Sequence, residues 1–268
     1  MKSVKKIALQ LFMASLVLLC IGGFGSAQVS AAINPGNEIK YNIKPDIFKE
    51  SKIIDVFSAT KKDEVKIYYF DTVNKAFLGA DYNHRLRVYK NSNKLDITYK
   101  KRFQNTSLDE AIAITQDHGF TGNESNYKFE LDIKGGKKNF AVSRKESLKE
   151  TTKVSFNEVD TEAAKKLILD NAPKKIQNWD TESWYNNTLA QSVVYGPAKA
   201  TTYKGSYAGY EADIEVWNYQ GDIMVELSTK EDDASKAAVI EKLWRDKLEV
   251  EGYLSEDQRG KTAFVMEK

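Results

Sequence analysis

The feature that most restricts what this chain can fold into is a two-residue alternation of apolar and charged side chains, repeated along its length. In Arg85-Leu86-Arg87-Val88-Tyr89 both arginines share a face, and in Lys94-Leu95-Asp96-Ile97-Thr98-Tyr99-Lys100 all four polar residues do. Lys128, Glu130, Asp132 and Lys134 alternate with Phe129, Leu131 and Ile133. Glu211, Asp213 and Glu215 alternate with Ile214 and Val216, and Asp222 and Glu226 with Ile223, Val225 and Leu227. A period of two is the mark of a β-strand with one apolar and one polar face. An antiparallel sheet normally sets one face on a core and the other in water. If the sheet closes on itself, one face of every strand must point inward. A lumen lined with both signs of charge then suits a polyanion together with a divalent metal.

The N-terminus is set apart from this pattern. Lys2, Lys5 and Lys6 precede an apolar run from Ile7 to about Phe24, followed by small residues through Ala32, which is the pattern of a secretory signal peptide. The run is short for a membrane span, and Val29-Ser30-Ala31 supplies small residues for cleavage. The expected division is therefore a signal peptide over 1–32 and one domain over 33–268, exported to the cell envelope or the medium. Cys20, the single cysteine, lies in the leader, so the mature chain has no disulfide. Leu19 is bulky where a lipoprotein motif needs a small residue, so no membrane anchor is expected after cleavage. With 40 basic and 38 acidic residues the net charge is only +2, which argues against a nucleic-acid partner. Function must come from local arrangement of charge.

Helical signals fall between the strands. Pro45 to about Phe57, Ser107 to about Gln116, Thr161 to Asn171 and Asp233 to Val250 have helical spacing, and Ser107-Leu108-Asp109-Glu110 is a capping-box pattern. Gly135-Gly136 predicts a hairpin turn, and the polar stretch Ser143 to Lys153 is the best linker candidate. Trp179, Trp184 and Tyr185 read as packing residues. Strands with helices at intervals make an α+β, mainly antiparallel fold.

There is no glycine-rich phosphate loop, paired-histidine metal motif or nucleophile elbow. What can be built is an oxygen-ligand site with cationic phosphate clamps. Glu130, Asp132, Asp213, Glu215 and Glu226 offer carboxylates for magnesium or manganese. Arg85 and Arg87 offer planar forks, and Lys44, Lys100 and Lys128 offer point charges.

Several segments together resemble the CYTH domain, the triphosphate tunnel metalloenzyme superfamily. They are Tyr68-Tyr69-Phe70-Asp71-Thr72, Phe77-Leu78-Gly79, His84-Arg85-Leu86-Arg87-Val88, Leu95 to Lys100, Lys128-Phe129-Glu130-Leu131-Asp132, and Gly221 to Glu226. The resemblance implies a closed antiparallel, tunnel-like barrel with flanking helices that binds triphosphate-like groups. It assigns phosphate binding to Lys44, Arg85, Arg87, Lys100 and Lys128, metal binding to Glu130, Asp132, Glu215 and Glu226, and positioning of the attacking water to Glu130 or Glu215. The cofactor it implies is Mg or Mn, and the partner is a phosphorylated small molecule or polyphosphate.

One departure bears on activity. The family's opening Glu-x-Glu-x-Lys stands here as Lys40-Tyr41-Asn42-Ile43-Lys44, with the lysine kept and both glutamates replaced. Losing carboxylates weakens a metal site. The expectations are thus a triphosphate- or polyphosphate-binding tunnel that hydrolyses its ligand, or the same tunnel with a degraded metal site that only binds anions, or a structural domain without a tunnel.

Overall fold

The computed structural model describes residues 31–268. The leader expectation falls almost entirely on residues outside that range. Among the described residues the alternating segments become nine strands: β1 (Gly36–Ile43), β2 (Thr60–Asp71), β3 (Tyr82–Tyr89), β4 (Lys94–Phe103), β5 (Lys128–Lys134), β6 (Lys137–Lys149), β7 (Val193–Tyr207), β8 (Tyr210–Tyr219) and β9 (Asp222–Glu231). They close into a barrel in the order β1-β5-β6-β4-β3-β2-β7-β8-β9, with β9 returning to β1. Every pairing is antiparallel except β1 with β5, where Gly36 to Lys40 lie beside Glu130 to Lys134.

The alternation sorts the two faces. Ile39, Tyr41, Ile43, Ile133, Ile214, Val225 and Leu227 point outward, where they meet Phe48, Phe57 and the helix Ala234–Val250 through Ile240, Trp244 and Leu248. On the opposite wall Leu86, Val88, Leu95, Ile97, Tyr99, Phe140 and Val142 form a second outer core. Burying these apolar faces stabilises the wall by roughly 25 cal/mol per Å² removed from water. The charged faces are left to the lumen.

Among the described residues there are eight helices: α1 (Glu50–Phe57), α2 (Ala76–Gly79), α3 (Leu108–Asp117), α4 (Thr161–Asp170), α5 (Lys174–Gln177), α6 (Glu182–Ala190), α7 (Ala234–Val250) and α8 (Lys261–Met266). Ser107 caps α3 by accepting from the Glu110 N–H, as the capping-box pattern predicts. Asp160, Thr181 and Asp233 cap α4, α6 and α7 in the same way. Gly135 and Gly136, both with positive φ, make the β5–β6 turn.

One expectation is corrected. Ser143 to Lys153 is no linker, because residues through Lys149 continue β6 and pair with β4 from Ser143 beside Lys100 to Lys149 beside Lys94. The segment reads as polar on both faces because Arg144 and Glu146 lie on the outer face, between Val142 and Leu148, while Lys145, Ser147 and Lys149 lie on the lumen face and are exposed.

Candidate functional site

The lumen is built by residues of one parity on each strand. β1 contributes Glu38, Lys40 and Asn42; β5 contributes Glu130, Asp132 and Lys134; β4 contributes Lys100; and β3 contributes Arg85 and Arg87. β8 and β9 contribute Glu215 and Glu226, a directly paired couple across the two strands. Their ion pairs join strands that are not neighbours in the sheet, which is possible only through the interior. Lys100 Nζ lies 2.6 Å from Asp132, Arg87 lies 3.4 Å from Glu215, and Lys134 meets Glu226.

Two chains of alternating charge result. In one, Lys230 bonds Glu130, Lys40 Nζ lies 2.7 Å from Glu38 and 2.8 Å from Asp132, and Lys100 closes on the second Asp132 oxygen. In the other, Lys134 bonds Glu226, Lys261 Nζ lies 2.6 Å from Glu226 and 2.9 Å from Glu215, and Arg87 completes Glu215. The Trp217 indole N–H also donates to Glu215, at 2.8 Å. Burial alone would raise these carboxyls, but the neighbouring cations reverse it. Asp132 and Glu215 sit well below the usual carboxylate range, and Glu226 is held at about 2 by Lys134 and Lys261. Burial likewise opposes the charge on Lys261, but Glu215 and Glu226 outweigh it and raise its pKa.

Arg85 is the exception. Among the described residues it has neither hydrogen-bond nor ion-pair partner, and its Nε is shielded from water with nothing to donate to. Burial and the adjacent Arg87 push its pKa down. The hydroxyl of Tyr69, directly opposite Arg85 on β2, is also buried without a partner. A cavity of about 30 Å³ lies beside Arg87 rather than Arg85, lined by Arg87, Tyr89, Thr202, Glu215 and the wall residues Val65, Ile67 and Ala200.

Of the residues singled out in the sequence, Arg85, Arg87, Lys100, Glu130, Asp132, Glu215 and Glu226 therefore converge on the lumen. Lys128 does not. It is exposed at the start of β5, beside Ser125, Asn126 and Arg144. Lys44 lies just past β1, half-buried, its N–H donating to the Tyr253 carbonyl at 2.9 Å. His84 faces away from the lumen, fully buried and hydrogen bonded to the Tyr185 hydroxyl at 2.8 Å.

As a metal set, Glu130, Asp132, Glu215 and Glu226 do not fit. Among the described residues no three Asp, Glu, His or Cys side chains are grouped to hold an ion. Each carboxylate is already bonded to an ammonium or guanidinium, whereas magnesium needs open oxygens in near-octahedral array.

The sequence reading missed the residues that neutralise the site: Lys40, Lys134, Lys230 and above all Lys261. The last arrives from α8, which packs Phe264, Val265 and Met266 into the interior against Val65, Ile67, Tyr69, Ala198, Ala200, Trp217 and Met224. Asn83 on β3 donates to Thr262 Oγ1 at 2.5 Å. The inward small and apolar residues of β2, β7 and β8 were the available signal that something fills that side.

No family model matches the chain, and no curated protein matches it. Similar solved structures include a candidate adenylyl cyclase from Hippeastrum described as having a dominant triphosphatase activity, at 13% identity over 85% of this chain and 93% of that one, with a TM-score of 0.45. A candidate adenylate cyclase from Bacillus halodurans is 12% identical over 87% and 97%, with a TM-score of 0.49. A protein from Pyrococcus horikoshii is 13% identical over 83% and 93%, with a TM-score of 0.46. The functional reading rests on the side chains of this lumen.

Proposed function

We propose that this chain is an exported, CYTH-like anion-binding protein whose tunnel takes up a triphosphate or polyphosphate compound through Arg85, Arg87 and Lys100. The observation that carries the reading is Arg85. A cation in the barrel interior without a bonded partner is costly, and Arg85 has none among the described residues: its Nε is buried with no acceptor, and Glu215 favours its charge only from beyond bonding distance. A phosphate oxygen supplies both the missing charge and the missing acceptor, and the guanidinium fork matches it in geometry.

Binding is favoured over turnover because the carboxylates expected to hold a metal or aim a water are occupied by cations. The inward orientation of the charged faces supports a site rather than a purely structural sheet.

The test is the thermal stability of the mature chain with tripolyphosphate and chelator, beside phosphate release with and without Mg or Mn. Stabilisation of about 2.7 kcal/mol is expected at a ligand concentration 100 times Kd, and none in Arg85→Ala. That variant removes a charge without a bonded partner, so it is expected to fold. Equal stabilisation of both proteins would sink the reading. Metal-dependent phosphate release lost in Glu130→Ala and Glu215→Ala would replace binding with hydrolysis. Export is tested separately by sequencing the N-terminus of the chain recovered outside the cytoplasm, expected near Ile33.

A further inference from the structure

Glu215 and Glu226 are paired across β8 and β9 with their side chains in the barrel interior. Two carboxylates so placed repel unless a cation lies between them. The cation present is the Lys261 ammonium, in hydrogen-bond contact with one oxygen of each. Their other contacts are also filled: Lys134 bonds the second oxygen of Glu226, and Arg87 and Trp217 bond Glu215.

Lys261 is held there by a strap, residues 253–259, crossing the end of the barrel where β1 finishes. Its fastening is Asn42, one of the two residues standing where the family pattern has glutamate. The Asn42 amide donates to the carbonyls of Asp257 and Arg259, both at 2.9 Å, and its oxygen accepts from Lys134 at 2.7 Å. Gln258 folds back on the Asn42 main chain, accepting from its N–H and donating to its carbonyl, each at 2.9 Å. A glutamate at 42 would turn acceptors toward two carbonyls and could not make these bonds. Asn42 on β1 and Lys261 from the C-terminal helix are thus parts of one connected arrangement.

We infer that Lys261 is the resident cation of this tunnel, standing between Glu215 and Glu226 where a divalent ion would otherwise bind, so that the chain holds its anion without metal. The clause about the anion rests on the proposed function; the clause about the cation does not.

The inference is tested by titrating Mn²⁺ into the mature chain, followed by electron paramagnetic resonance, for the wild type, Lys261→Gln, Lys261→Arg, Glu215→Gln and Lys261→Gln/Glu215→Gln. The wild type and Lys261→Arg are expected to show no saturable Mn²⁺ binding. Lys261→Gln is expected to gain a site at least tenfold tighter than any wild-type binding, and the double variant to lose it. Saturable binding to the wild type that Glu215→Gln abolishes would overturn the inference, and this arm decides even if Lys261→Gln does not fold. A folded Lys261→Gln that gains no site would also overturn it. In parallel, tripolyphosphate affinity of the wild type is expected to change less than twofold between chelator and Mg²⁺, and a tenfold rise with Mg²⁺ would count against metal independence. Absence of any tripolyphosphate binding would remove the anion clause and leave the Mn²⁺ result standing.

Discussion

His84 and Arg85 are consecutive on β3 and meet opposite surroundings, which makes the strand's alternation measurable one residue at a time. Arg85 enters the lumen, while His84 enters the outer core beside Phe77, with ring centroids 4.3 Å apart. Burial pushes the His84 imidazole down to about 3. In the unfolded chain a histidine takes up its proton near pH 6.5, so between that pH and about 3 the unfolded state binds more protons and stability falls as pH drops. Glu226, held at about 2, acts in a lower window: its contribution is present above the ordinary carboxylate pKa and is lost as pH falls toward 2. The melting temperature of the wild type is therefore expected to drop already between pH 7 and 5, and that of His84→Gln to stay flat there. Parallel losses in the two proteins over that interval would show that His84 is not the source. The facing of both residues was legible from period two alone. The ion pairs of the lumen were not, because a pair such as Lys134 and Glu226 is separated by 92 positions and is brought together only by barrel closure.

At the level of elements, what the sequence disclosed depended on whether an element carries its own signal. α3 and α7 do, with side-chain caps at Ser107 and Asp233 and a long apolar stripe in α7. α8 does not: it has six residues and no amphipathic period, and it is held by contacts with β2, β3, β7, β8 and β9. The strap before it is equally silent, since Asn42 signals a clamp only once Asp257 and Arg259 are beside it. Asn42→Asp is nearly isosteric and changes donors into acceptors. It is expected to cost about 1–3 kcal/mol, the scale for stranding buried polar groups. The loss should be local, with amide exchange accelerated over 253–266 and unchanged in β3 and β4. Unchanged protection of the strap would mean that Gln258 and the Lys44 N–H to Tyr253 bond hold it without the Asn42 side chain.

For the whole molecule, the decisive property is closure, and it depends on the first strand. β1 pairs with β5 on one side and β9 on the other, with Asn37 lying opposite Glu231 near the far end of the chain. A strip of alternating segments states that each strand has two faces, but not that the first strand meets the last. The resemblance to tunnel proteins supplied that expectation, and the register supplies the fact. Because β1 is the only strand joining β5 to β9 among the described residues, its removal leaves two edges with unpaired N–H and C=O groups. It also takes Ile39, Tyr41 and Ile43 from the core under α7, and removes Asn42 from the strap. Open edges beside exposed apolar surface associate. A chain beginning at Lys44 is therefore expected to form oligomers or aggregates in size-exclusion chromatography with light scattering, where the chain beginning near Ile33 runs as a single species. Adding the peptide 33–43 in excess should restore that species, since it replaces the β5 and β9 ladders and the apolar row together. A shortened chain that stays monomeric and melts like the longer one would show that β5 and β9 can close the barrel by themselves.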